Sequence, residues 1–124
     1  MSKRVLVIED HEENRRILRL LLTSAGIEMT EAVTGEEGVA AAEKEPPDLI
    51  LMDIQLPGLD GYEATRRIKA NPTLRHIPII VVTSYALSGD DVKAFEAGCD
   101  AYVTKPFVPR ELLARVRGFL ETSP

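Results

Sequence analysis

The chain has 124 residues, a length that fits one globular domain and leaves no room for two. Hydrophobic residues make up 44% and charged residues 28%, and the net charge of -5 argues against general nucleic-acid binding, which needs a basic face. The first residues lead into only a short apolar run, so we expect no secretory signal, and no apolar run of the sequence approaches the roughly 20 residues of a membrane span. We therefore expect one cytoplasmic domain over residues 1–124, with its core at about residues 4–120, and no output domain, direct DNA contact or membrane contact.

The first half of the chain alternates apolar runs with segments of helical period. Arg4–Ile8 is rich in Val and Ile and predicts a buried strand. Glu13–Ala25 places its apolar residues on one helical face, and the glycine that follows is a typical C-cap. Ile27–Ala32 alternates, which predicts a strand with one side partly exposed. Gly35–Lys44 is rich in Ala and Glu and predicts a helix, which a pair of prolines then ends.

The second half repeats this alternation three times. Asp48–Met52 is the most apolar strand, so we expect it at the centre of a sheet. Turn residues follow, and Asp60 is suited to cap a helix that runs to Ala70. The remaining predicted elements are a strand over Ile77–Val82, a helix over Gly89–Ala97, a strand over Ala101–Thr104 and a helix over Arg110–Leu120 with Pro109 at its start. Five strands alternating with five helices predict an α/β fold with a parallel sheet, right-handed crossovers and helices on both faces.

Charged or hydroxyl side chains stand where four of these strands end. Glu9 and Asp10 follow the first strand, Asp53 the third, Thr83 the fourth and Lys105 the fifth. The carboxyl ends of parallel strands share one rim of the sheet, where ligands bind. Carboxylates about 5 Å apart repel by roughly 3 kcal/mol per pair at an effective dielectric of about 20, so the cluster calls for a cation. Carboxylate oxygens favour Mg²⁺ or Mn²⁺ over zinc, and a carboxylate can act as a nucleophile that forms an acyl phosphate.

Two other kinds of site fit the sequence less well. A nucleotide or flavin loop needs small residues and bare N–H groups after the first strand, but the segment Glu9–Glu13 would repel a phosphate in the absence of a metal. His11 and His76 lack the spacing of metal ligands, so we interpret both as surface histidines. The single cysteine, Cys99, is interpreted as a small buried thiol rather than a reactive one.

Three segments resemble the receiver domain of two-component response regulators, and the similarity extends over essentially the whole chain. They are Val5–Asp10, Asp48–Gly61 and Thr104–Phe107. The resemblance implies a flavodoxin-like, doubly wound (βα)5 fold with strand order 2-1-3-4-5. It is strongest to stand-alone, single-domain receivers of the kind found in cell-cycle and phytochrome-linked pathways. Such a domain catalyses its own phosphorylation and dephosphorylation in part, but it is a signalling switch and not a turnover enzyme.

The resemblance also implies a role for each acidic residue. Asp53 would accept a phosphoryl group from the phosphohistidine of a sensor histidine kinase or a histidine phosphotransfer protein. Mg²⁺, or Mn²⁺ in its place, would be held by Glu9, Asp10, Asp53 and the backbone carbonyl of Gln55. Glu9 stands where the family more often has aspartate, and its longer side chain suits metal contact through water.

The remaining implied roles concern the response to phosphorylation. Thr83 and Lys105 would bind the phosphoryl oxygens, and the Lys105–Pro106 peptide would be cis. Tyr102 would be the switch aromatic that turns inward when Thr83 moves. Ser84 replaces the family's usual alanine or glycine and could slow access to the phosphoryl site.

The moving element would be the loop at 83–88 with the following helix. A downstream protein would bind the surface of helix four, strand five and helix five, which includes Arg110, Arg115 and Arg117.

Two alternative functions stay open. The first is an adaptor that keeps the fold but works without phosphorylation, which the intact set of strand-end residues argues against. The second is a phosphatase with an aspartate nucleophile. Such enzymes usually need a second acid two residues after the nucleophile, and Gln55 stands there.

Overall fold

Five parallel strands form one sheet, in a computed structural model that describes residues 2–83 and 90–122. The strands lie in the order β2-β1-β3-β4-β5, so the predicted fold and strand order are confirmed. The elements in chain order are β1 Arg4–Ile8, α1 Glu12–Ser24, β2 Glu28–Ala32, α2 Gly35–Lys44, β3 Leu49–Met52, α3 Gly61–Ala70, β4 Ile79–Thr83, α4 Asp90–Ala97, β5 Ala101–Thr104 and α5 Pro109–Thr122.

The sheet separates two hydrophobic cores. Side chains alternate along each strand, so in β1 Leu6 and Ile8 face one core while Val5 and Val7 face the other. The helices α2, α3 and α4 cover the first core, and α1 and α5 cover the second. Because both faces are covered, β1, β3 and β4 contain continuous apolar runs, which is why the sequence displays them so clearly.

Several boundaries differ from prediction by one or two residues, because tertiary hydrogen bonds decide them. Ile27 is buried, but its N–H bonds to the carbonyl of Leu22 and closes α1, so β2 begins one residue later. Gly26 takes the left-handed φ of 76° that this helix ending requires. Ile77 closes a turn onto Leu74 in the same way, so β4 begins two residues later than predicted.

The start of α3 lies directly against the end of β3. Asp60 caps the helix as predicted, with its Oδ1 accepting a hydrogen bond from the N–H of Glu63 at 2.9 Å. Gly61 follows, and a Cβ on this residue would stand 2.1 Å from the backbone oxygen of Asp53. Glycine is therefore required here for steric reasons, and it allows the segment after Asp53 to turn back closely over the sheet.

None of the helices within residues 2–83 and 90–122 is long and apolar enough to cross a membrane. A cytoplasmic location stays a prediction, as do the domain limits. Cys99 is buried as expected, and burial raises the pKa of its thiol to about 11.

We predict that Gly61→Ala destabilises the domain by about 1–3 kcal/mol, because the new methyl group overlaps rigid backbone. Urea denaturation measures this change. The matched control is Gly118→Ala in α5, where nothing lies within 4 Å of the added carbon. That variant should be unchanged or up to about 1 kcal/mol more stable, because alanine favours helix. Equal stability of the two variants would contradict the steric argument.

Candidate functional site

The residues after β1 and β3 are held at the rim by continued strand pairing. The N–H of Glu9 donates to the carbonyl of Ala32 at 3.0 Å, and the N–H of Asp53 donates to the carbonyl of Ile8 at 3.0 Å. Both carboxylates begin in the sheet and are buried, with 3% and 6% of their residue surface exposed. Two acidic groups are therefore fixed side by side where water can do little to screen them.

Lys105 joins these two carboxylates from β5. Its Nζ lies 2.6 Å from Glu9 Oε1 and 3.6 Å from Asp53 Oδ2, so Glu9 is its closer partner. The Lys105–Pro106 peptide is cis, as expected. The Lys105 N–H donates to the carbonyl of Thr83 at 2.8 Å, which ties the end of β5 to the end of β4.

The protonation of the two carboxyl groups differs. Burial and the negative charge of Glu9 raise the pKa of Asp53 to about 6. Burial also acts to raise the pKa of Glu9, but hydrogen bonds from Lys105 and from the N–H of His11 outweigh it and lower that pKa. Glu9 therefore keeps the negative charge that neutralises Lys105, whereas ionisation of Asp53 is disfavoured.

An open cleft of about 510 Å³ lies over this rim. Gln55 is exposed in the loop that follows Asp53, and its N–H lies 3.4 Å from Asp53 Oδ1. The cleft thus gives a reactant in solution direct access to the Asp53 carboxylate. Its lining residues are His11, Glu12, Glu13, Asn14, Asp53, Gln55 and Lys105.

The other two predicted residues lie on β4 and β5. Thr83 ends β4, is fully buried, and stands opposite Thr104 in the strand register. Tyr102 is half-buried and packs against the core beneath α2, α3 and α4. Ser84, together with the rest of the predicted moving loop up to residue 89, lies outside the described residues.

Comparison with known proteins agrees with this geometry. The family model for the response regulator receiver domain matches residues 5–117. The chain belongs to this family. It is 39% identical over 120 residues to the polar-differentiation response regulator DivK of Brucella ovis, with 97% of this chain and 98% of DivK covered.

Solved receiver structures superpose closely on this one. The receiver domain of a sensor histidine kinase from Pseudomonas aeruginosa, with a magnesium ion coordinated in its active-site cleft, is 37% identical with a TM-score of 0.91 over 98% of this chain and 100% of that one. A CheY-like receiver domain protein from Methanospirillum hungatei is 33% identical, also with a TM-score of 0.91, over 98% and 95% of the two chains.

The acidic side chains of this receiver domain fit a divalent cation. Glu9, Asp10, His11 and Asp53 each place one ligand atom within 4.8 Å of the others. Asp10 Oδ1 is buried but accepts no hydrogen bond, although His11 Nδ1 lies 3.2 Å away. A buried carboxylate oxygen without a hydrogen bond is costly, and a hard cation would satisfy it.

Sequence reasoning missed two residues beside the site. Arg15 donates from Nη1 to the backbone oxygen of Glu9 at 2.9 Å and pairs with Glu31 of β2, so it holds the turn after β1. His11 is exposed, as predicted, but it also touches both Glu9 and Asp10. Its position directly after the acid pair was the available signal for His11, whereas nothing in the sequence distinguished Arg15 from the other arginines.

The raised pKa of Asp53 predicts a pH-dependent effect of Asp53→Asn in metal-free buffer. A carboxyl group with a pKa higher in the folded than in the unfolded state favours folding at low pH, and this contribution is lost as pH rises from about 4 through about 6. The variant has no carboxyl group at this position, so its free energy of unfolding lacks this pH-dependent contribution. Its stability relative to the wild type should therefore rise by about 2 kcal/mol between pH 4.5 and pH 7.5. Denaturation in EDTA at both pH values measures the difference, and a constant difference would contradict the assignment.

Proposed function

We propose that this receiver domain is a phosphorylation switch in which Asp53 accepts a phosphoryl group from the phosphohistidine of a sensor histidine kinase or phosphotransfer protein. The observation that carries the proposal is the position of the Asp53 carboxylate. It is buried at the rim, opens onto the cleft, and lies between an acidic cluster and the Lys105 ammonium. An Asp53 oxygen would attack phosphorus, the bond from phosphorus to the histidine nitrogen would break, and the imidazole would leave.

Four groups of the chain would hold the cation: the carboxylates of Glu9, Asp10 and Asp53 and the backbone carbonyl of Gln55. When bound, Mg²⁺ or Mn²⁺ would neutralise the charge that the acidic cluster and the phosphoryl group bring together. The magnesium ion in the cleft of the Pseudomonas aeruginosa relative supports the binding of Mg²⁺ at this site. The metal ligation and the phosphotransfer are both proposed for this chain on the strength of its family and its site.

Lys105 would change partners during the reaction. In the structure its ammonium lies 2.6 Å from Glu9 Oε1 and neutralises that carboxylate. A cation that binds Glu9 and Asp10 would weaken this ion pair through its own positive charge. The ammonium, which is already 3.6 Å from Asp53 Oδ2, would then bind an oxygen of the new acyl phosphate, and the Thr83 hydroxyl would donate to another.

A downstream protein would bind the surface formed by α4, β5 and α5. The acyl phosphate would carry nearly two negative charges near Thr83, where the Asp53 carboxylate carries at most one, and Tyr102 lies on the neighbouring strand. Exposed apolar side chains on α4, Val92 at 54% and Phe95 at 51%, offer a downstream protein an apolar contact. A groove of about 330 Å³ between β5 and α5 extends this surface.

We predict that a small acyl phosphate with Mg²⁺ adds one phosphoryl group to the wild type and none to Asp53→Asn, as measured by intact mass. Asp60→Asn is the matched control, because asparagine also caps helices and Asp60 is an exposed carboxylate just beyond the same loop. This control should react like the wild type. Full labelling of Asp53→Asn would refute the assignment of Asp53 as the phosphoryl acceptor. A wild type that takes no label would favour the adaptor alternative.

We also predict that Lys105→Met binds Mg²⁺ about tenfold more tightly than the wild type, because it removes the ammonium that occupies Glu9, a change of about 1.4 kcal/mol. Lys44→Met is the matched control, since Lys44 lies in the last turn of α2, at the far end from the rim. Calorimetric titration measures both. Weaker binding to Lys105→Met than to the control would contradict the competition for Glu9.

A further inference from the structure

His11 lies where an additional ligand of the rim cation would lie. Its Nδ1 is 3.2 Å from Asp10 Oδ1 and 3.3 Å from Glu9 Oε2. Two ligands at right angles around an ion with bonds of about 2.1 Å are about 3.0 Å apart. Both distances from the imidazole nitrogen are therefore close to the separation of neighbouring ligands around one octahedral ion, and the imidazole needs little movement to join the two carboxylates.

The local structure gives the His11 side chain neither a capping role nor a role in core packing. It occupies the N-cap of α1, where Ser, Thr, Asp and Asn are preferred, and its side chain makes no capping hydrogen bond. Its side chain is 69% exposed, so it adds little to the core. His11 is a poor cap and packs little, but its ring nitrogen points at two carboxylates. A role in the acidic site explains why histidine stands at this position.

We propose that His11 is a nitrogen ligand of the cation at this rim, and that it makes the site prefer Mn²⁺ and the later first-row divalent ions over Mg²⁺. The inference rests on the proposed function, because it concerns the cation that accompanies phosphotransfer. Imidazole is a good ligand for transition ions, whereas Mg²⁺ prefers oxygen. With oxygen ligands alone, the same site would discriminate between these ions less strongly.

A different role for His11 would be to orient the carboxylates by hydrogen bonding. Its ring is 3.3 Å from Glu9 Oε2, and its backbone N–H donates to the same oxygen at 3.1 Å. In that case the loss of His11 would weaken the binding of every divalent ion to a similar degree. The two roles therefore differ in ion selectivity and in whether nitrogen is bonded to the metal.

The experiment uses the untagged full chain, which contains only two histidines. Affinities for Mn²⁺ and Mg²⁺ are measured by calorimetry at one pH for the wild type, His11→Gln and His76→Gln. His76 is exposed and lies in the turn after α3, so its variant is the matched control. Pulsed electron paramagnetic resonance of the Mn²⁺ complexes reports ¹⁴N bonded to the ion, independently of any phosphotransfer activity.

We expect ¹⁴N coupling in the wild type and in His76→Gln, and its loss in His11→Gln. Mn²⁺ affinity of His11→Gln should fall about tenfold or more, and Mg²⁺ affinity by less than about threefold. Absence of ¹⁴N coupling in the wild type, or equal loss of affinity for both ions, would overturn the proposal and leave His11 an orienting role. A wild type that binds neither ion would instead refute the metal site of the proposed function.

Discussion

The site depends on one electrostatic constraint: two buried carboxylates, from Glu9 and Asp53, share a single ammonium from Lys105. Strand pairing fixes both carboxylates at the rim, so they cannot move apart to relieve their repulsion. One positive charge cannot neutralise two negative ones, and Asp10 adds a third carboxylate at the edge. Among the side chains themselves the conflict is resolved by leaving Glu9 charged against Lys105 and by raising the pKa of Asp53.

This constraint links the fold to the proposed chemistry. A parallel sheet brings strand ends together that are far apart in the chain, and the two carboxylates at this rim are buried beneath an open cleft. In the proposed reaction a divalent cation would supply the missing positive charge, and a phosphoryl group would then add negative charge that Lys105 and Thr83 would bind. Each addition would change which groups Lys105 can neutralise. Charge balance at the rim is thus a physical route by which phosphorylation could alter the contacts of β4 and β5.

Much of this arrangement was predictable, because strands buried on both faces appear as uninterrupted apolar runs, and the residues after those runs must lie on one rim. Periodicity carries no information about the lateral order of strands, so that order came from the family resemblance. Strand starts such as Glu28 and Ile79 depend on hydrogen bonds that close the preceding turn. The preference of Lys105 for Glu9 over Asp53 is set by distances of 2.6 and 3.6 Å, which no sequence pattern encodes. The contact of His11 with the acid pair was missed because its position was judged by ligand spacing alone.

Titration of the Asp53 carboxyl carbon, followed by NMR with and without Mg²⁺, tests this charge balance most directly. In metal-free buffer it should titrate near pH 6, because Glu9 and burial oppose its ionisation. With saturating Mg²⁺ the midpoint should move well below the ordinary aspartate value of about 3.9, because the cation favours the carboxylate. An ordinary midpoint in both conditions would show that the rim carries no uncompensated charge, and would contradict the account.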